Sequence, residues 1–172
     1  MLNEKIAKLV NEQVNKELYS AYLYLDFANY YADAGLDGFA HWYEIQAQEE
    51  RDHAMMMRRY LIDNGIAVKF AAIDKPDKKY ADNAAPLKEG YAHEQYVTSL
   101  INNIYSEAFA MKDFKTMQFL DWFIKEQGEE EKNAEDLIRK MQLFGGDAKG
   151  LYALNAELAA RVYAPSTTGP AM

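Results

Sequence analysis

Apolar side chains recur every three or four residues through four long stretches of this 172-residue chain, and each stripe is broken near its middle by polar groups. The first runs Ile6, Val10, Gln13, Glu17, Ala21, Tyr24, Ala28, Tyr31, and the second Phe39, Tyr43, Gln46, Glu50, His53, Met57, Leu61. The third is Leu87, Tyr91, Glu94, Val97, Ile101, Tyr105, Ala108, and the fourth Leu120, Phe123, Gln127, Glu130, Ala134, Leu137, Met141. Such spacing keeps each series on one face of an α-helix. Four amphipathic helices are predicted, each turning an acid toward the interior.

Boundary signals agree with the periodicity. The first helix is predicted from a cap at Asn3 to about Ala32, closed by Gly35, and the second from a cap at Asp37 to Asn64 and Gly65. Their short joint makes them antiparallel neighbours. Residues 66 to 85 have little helical period and read as a connection to a third helix beginning near Pro86. A helix of about 28 residues is about 42 Å long, and roughly 20 extended residues span more than that, so the connection is able to traverse the bundle. The third helix ends near Lys112, Asp113 caps the fourth, and Gly145 and Gly146 end it. The expectation is an all-α four-helix bundle over residues 3–145, with a long crossover between helices two and three. A short fifth helix over 147–163 carries Leu151, Leu154, Leu158 and Val162 on one side and is assigned to subunit contacts. Residues 1–163 then make one domain and 164–172 a flexible tail.

The two hairpins are related. Glu17 precedes Glu50 by 33 residues, and Glu94 precedes Gln127 by the same interval. A shift of 77 positions lays Glu17, Tyr19, Leu23 and Glu49 on Glu94, Tyr96, Leu100 and Glu126. The polar positions of both halves therefore meet at one level of the bundle.

Charge decides what that level holds. Burying an unpartnered carboxylate costs several kcal/mol, and clustered carboxylates also repel. No Lys or Arg occupies the central positions, and 27 acidic against 19 basic side chains leave a net charge of −8. Metal cations are the remaining counter-charge. Glu50 and His53, at i and i+3, project about 60 degrees apart from one helix face and are able to reach a common ion. Tyr24 lies two turns after Glu17 on the same face, placed to donate a hydrogen bond or an electron to the ligands, or simply to pack there. Trp122 is a nearby electron donor or a packing residue, whereas His41 and His93 fall beside the stripe and read as exposed or structural.

The absence of cysteine excludes disulfides, thiolate zinc and iron–sulfur clusters. The acidic balance argues against nucleic acid and anionic membrane as partners. With no apolar run of about 18 residues and no signal-peptide pattern, a cytoplasmic location is expected.

Glu-Leu-Tyr-Ser at 17–20, Gln-Glu-Glu at 48–50, His53, His-Glu-Gln at 93–95, Glu-Gln at 126–127, Glu-Glu-Glu-Lys at 129–132 and Gly-Leu-Tyr at 150–152 together resemble the bacterial non-haem ferritins. The resemblance covers the chain to about residue 163 and places it in the known ferritin-like di-iron bundle architecture. It implies an iron-storage ferritin with ferroxidase activity. Glu17, Glu50 and His53 would bind a first iron, Glu50 would bridge, Glu94 and Glu130 would hold a second, and Gln127 would be a weak ligand or an orienting group. The symmetric members of the superfamily repeat Glu-x-x-His in the second half, and Gln127-x-x-Glu130 breaks that symmetry here. Glu49, Glu126, Glu129 and Glu130 stand where a third iron site is found in such proteins, while Glu131 reads as solvated. Oxygen or hydrogen peroxide would be the oxidant and a 24-subunit homo-oligomeric cage the assembly. Haem is disfavoured because Arg51, not methionine, follows the bridging glutamate. The alternative is a di-iron oxygen- or peroxide-reducing enzyme without a storage role. A purely structural bundle and a miniature DNA-protecting cage fit less well.

Overall fold

A computed structural model describes residues 2–165. Its elements are α1 (Glu4–Asp33), α2 (Asp37–Asp63), α3 (Ala85–Ala110), α4 (Phe114–Phe144) and α5 (Ala148–Leu158). α1 packs along α2, α3 along α4, and the two hairpins meet through α1 and α3. Caps expected from the sequence are in place. Asn3 accepts from the Lys5 amide at 2.8 Å and Asp113 from the Thr116 amide at 3.1 Å, supplying acceptors to N–H groups that an α-helix leaves unpaired at its start. Gly35 and Gly65 close α1 and α2 with φ of 73° and 75°, a left-handed conformation that costs glycine nothing.

The crossover is tied to α1 by a ladder of side-chain bonds. Asn11 exchanges two hydrogen bonds with the Lys69 backbone, Asn15 donates to Ala72 O, and further along α1 Asp26 accepts from Tyr80. The connection thus runs the length of the bundle, as its reach allows.

Two expectations are corrected. Asp37 does not cap α2: the cap position is Leu36, which offers no side-chain acceptor. Asn155 of α5 supplies it instead, its Oδ1 accepting from the Gly38 amide at 2.8 Å and the Phe39 amide at 3.3 Å. The fifth helix ends at Leu158 rather than 163, and Val162 is exposed instead of lying on its apolar side. Leu154 and Leu158 are buried within this same chain against α2 and α4. Of the predicted tail, residues 166–172 lie outside the described residues.

The core is in two pieces. One apolar cluster takes Ile6, Val10 and Val14 of α1, Ala54, Met57 and Leu61 of α2, Val97 to Ala108 of α3, and Phe119 to Phe123 of α4. The other takes Leu23 to Tyr31 of α1, Phe39 to Ala47 of α2, Leu87 of α3, Leu137 and Met141 of α4, and the two leucines of α5. On every long helix the acid falls in the gap between them.

Candidate metal centre

Glu17, Glu50, His53, Glu94, Gln127 and Glu130 are all buried in that gap, with Glu17, Glu50 and His53 only 1% exposed. Three sets of ligand atoms approach within 4.8 Å of one another: Glu17 with Glu50 and His53, Glu50 with Glu94 and Glu130, and His53 with Glu126 and Glu130. The sets interlock, Glu50 being common to the first two, as a bridging carboxylate must be.

Hydrogen bonds orient some of these atoms and leave others bare. Gln13 donates to Glu17 Oε1 at 2.9 Å, Gln46 donates to Glu130 Oε1 at 2.9 Å, and Gln127 donates to Glu94 Oε2 at 3.1 Å. The Tyr24 hydroxyl donates to Glu94 Oε1. Glu17 Oε2, Glu130 Oε2 and His53 Nε2 are buried without a hydrogen-bond partner. Buried polar atoms left unpaired are costly, and these three point to a charge the protein itself does not provide. Their chemistry, carboxylate oxygen and a single imidazole, suits iron.

The electrostatics carry the same message. Burial, reinforced by the charges of Glu94 and Glu17, pushes the Glu50 carboxyl well above its usual value. Burial followed by Glu50 and Glu94 does the same to Glu130. Glu17 and Glu94 are also raised by burial, against lowering by His53 for the first and by the Tyr24 and Gln127 hydrogen bonds for the second. For His53 burial works downward, but the surrounding carboxylates, Glu130 foremost, outweigh it and raise the imidazole. All these shifts favour retained protons, which a bound divalent ion would displace.

At the rim the candidates divide. Glu126 comes within 4.0 Å of His53 Nε2. Glu49 is half-buried and pairs at 2.5 Å with Arg161, a residue that the sequence pattern had placed inside α5 and that in fact lies on the chain beyond it. Glu129 is exposed beside Lys125 and is not brought together with the others. Glu131, expected to be solvated, is half-buried and accepts from Thr98, which in turn lies 3.4 Å from the Gln127 amide. Among the aromatic candidates, the Trp122 ring meets the His53 ring edge-on at 5.4 Å. His93 sits against Ser20 at 2.8 Å, its imidazole pushed down to about 4 by burial, and His41 donates to Arg161 O at 2.9 Å. Of the two expectations for them, exposed or structural, both histidines are half-buried and each has a partner within the chain. A narrow crevice of about 20 Å³, lined by Trp42, Gln46, Tyr24 and Leu137 among others, reaches Glu94 and Glu130 from between α2 and α4.

A helical bundle with an inward layer of carboxylates and one histidine has the ligand groups that could hold metal ions. Residues 7–144 match the family model for the ferritin-like domain, and the chain belongs to that family. It is 37% identical over 163 residues to a bacterial non-heme ferritin of Staphylococcus haemolyticus, covering 95% of this chain and 98% of that one. It is 34% identical over 158 residues to a probable bacterial non-heme ferritin-like protein of Haemophilus influenzae, with 92% and 96% covered. Among solved structures, an open pore ferritin from Archaeoglobus fulgidus superposes with a TM-score of 0.92 at 40% identity, covering 94% of this chain and all of that one. Among the described residues no helix is long and apolar enough to cross a membrane.

Proposed function

We propose that this protein is an iron-storage ferritin: it oxidises Fe(II) at a paired site within each subunit and retains the ferric product as mineral inside a homo-oligomeric shell. The observation that carries the reading is the interlocking of three buried ligand sets through Glu50, His53 and Glu130, together with the ferritins among its relatives. In this reading Glu17, Glu50 and His53 hold one ferrous substrate ion, and Glu50, Glu94 and Glu130 hold the other. Each ion gives up one electron; dioxygen takes the two with two protons to become hydrogen peroxide, or peroxide takes them with two protons to become two waters. Hard oxygen donors favour the ferric product over the ferrous substrate.

The protein's own work is orientation. Gln127 and Tyr24 fix Glu94, Gln46 fixes Glu130, and Gln13 fixes Glu17, so the pocket is arranged before substrate arrives. Gln127 acts in this reading through its amide on Glu94, and Glu49 and Glu126 form an outer, weaker position from which Glu129, exposed beside Lys125, is left out. The exposed Leu143, Phe144, Tyr152 and Val162 suit burial between subunits, and a 24-subunit cage working in the cytoplasm completes the proposal.

Anaerobic Fe(II) titration followed by an oxygen pulse, with particle size measured on the same sample, tests site, chemistry and assembly together. Two ferrous ions bound per chain, their oxidation, and soluble ferric iron far in excess of the sites are expected. Oxidation without retained mineral favours a catalyst without a storage role. Oxidation unchanged by Glu50→Ala and His53→Ala excludes this site.

A further inference from the structure

Arg161 brings a cation to the rim of the metal layer from outside the four long helices. Beyond α5 the chain turns back along α2, held by His41 on Arg161 O and by the Tyr163 hydroxyl on Asp52. This strap lays the Arg161 guanidinium over the Trp42 ring, 4.1 Å from its centroid. Nη2 lies 2.5 Å from Glu49 Oε2, while Nη1 donates to Gln46 Oε1 at 3.0 Å and to Trp42 O at 3.1 Å.

Two consequences follow from the chemistry of arginine. Its guanidinium only donates, so Gln46 must turn its carbonyl toward Arg161 and therefore its amide toward Glu130. Its charge is permanent, so a cation arriving at Glu49 must share that carboxylate with one already fixed there. Glu126 is the natural co-ligand, for its carboxylate is grouped with the ligand atoms of His53 and Glu130, and Gln46 joins Glu130 to the arginine that holds Glu49.

We propose that Arg161 is a positioning residue that keeps the outer position, Glu49 with Glu126, weak for ferrous iron while locking Gln46 onto Glu130. The inference rests on the reading of the buried layer as an iron site. A position held weak beside a tight pair passes ions along rather than trapping them.

Calorimetric titration of the assembled, full-length protein with anaerobic Fe(II) tests this. The unaltered protein should show two tight ions per chain and a third that is weak or undetected. Removing a positive charge at this range should tighten the third ion about tenfold in Arg161→Gln and leave the pair unchanged. Arg161→Lys, which keeps the charge, should leave it weak. The tightening should vanish in Arg161→Gln combined with Glu49→Gln. Tyr163→Phe, which loosens the strap elsewhere, should titrate like the unaltered protein. Unchanged third-ion binding in Arg161→Gln, tightening that survives loss of Glu49, or equal tightening in Tyr163→Phe overturns the proposal. Failure of the unaltered protein to bind the tight pair overturns the ferritin reading instead.

Discussion

The amide of Gln127 donates to Glu94 Oε2 at 3.1 Å, so the position that breaks the symmetry between the two halves of the chain serves as a hydrogen-bond donor to a neighbouring acid. Gln127→Met keeps the approximate volume and removes the donor. A buried acceptor left without its partner costs about 1–3 kcal/mol. The metal-free variant should therefore melt several degrees lower, while saturating Zn²⁺ should restore most of the difference because an ion satisfies the same oxygen. Melting curves with and without zinc check this, and a deficit that persists in full with zinc would assign Gln127 to packing.

The buried acids give the metal-free protein an unusual pH response. Glu50 and Glu130 are held well above the ordinary 4.5, so the folded state keeps protons that the unfolded chain has released. Their contribution to stability is complete below the unfolded value and is lost as pH rises through the folded one. His53, raised above 6.5, has the same sign. His93 has the opposite sign, being lowered to about 4: its stabilisation is present above 6.5 and is lost as pH falls toward 4. Above about pH 6.5 only the first effect operates, and the melting temperature of metal-free protein should fall as pH rises. Zn²⁺ should reverse the slope and release protons on binding. Glu50→Gln should flatten the metal-free slope, and a flat slope in the unaltered protein would contradict the argument.

Tyr24 donates its hydroxyl to Glu94, and burial first, then Glu94, keep that hydroxyl protonated far above neutral pH. Tyr24→Phe deletes one donor at a cost of about 1 kcal/mol. Two ions per chain should still bind, since Tyr24 is not among the grouped ligands. Oxidation should slow several-fold because Glu94 is less well oriented. Stopped-flow absorbance beside equilibrium titration separates the two effects; loss of the second ion would make Tyr24 essential to binding.

Features repeated at helical intervals were legible in the sequence, and those made by distant contacts were not. Four stripe interruptions located Glu17, Glu50, Glu94 and Glu130, and Asn3, Asp113, Gly35 and Gly65 marked helix ends because caps are local. The cap of α2 escaped notice because Asn155 lies 117 residues from Gly38. Arg161 left no signal of its own, since the apolar spacing that ran on to Val162 placed it inside the fifth helix and its partner is on another helix. Within the acidic run at 129–131, rotation of about 100 degrees per residue sends neighbours to different faces. Glu130 turns inward, Glu131 reaches Thr98, and Glu129 meets solvent near Lys125.

Gly38 and Asn155 join α5 to the start of α2 so closely that a Cβ on Gly38 would lie 1.8 Å from the Asn155 carbonyl oxygen. That atom is backbone, so Gly38→Ala has to displace α5, at a cost of about 1–3 kcal/mol for overpacking. Asn155→Ala leaves the helix in place and removes only the acceptor for the Gly38 and Phe39 amides, worth about 1 kcal/mol. Both should lower the melting temperature, but they should differ at the iron layer. Arg161 follows α5 by three residues, so moving the helix withdraws the guanidinium from Glu49 and Gln46. Gly38→Ala should therefore tighten the third ferrous ion as Arg161→Gln does, whereas Asn155→Ala should melt earlier with its iron titration unchanged. If both variants titrate alike, the strap is held independently of α5, and the link from helix docking to the metal layer is lost.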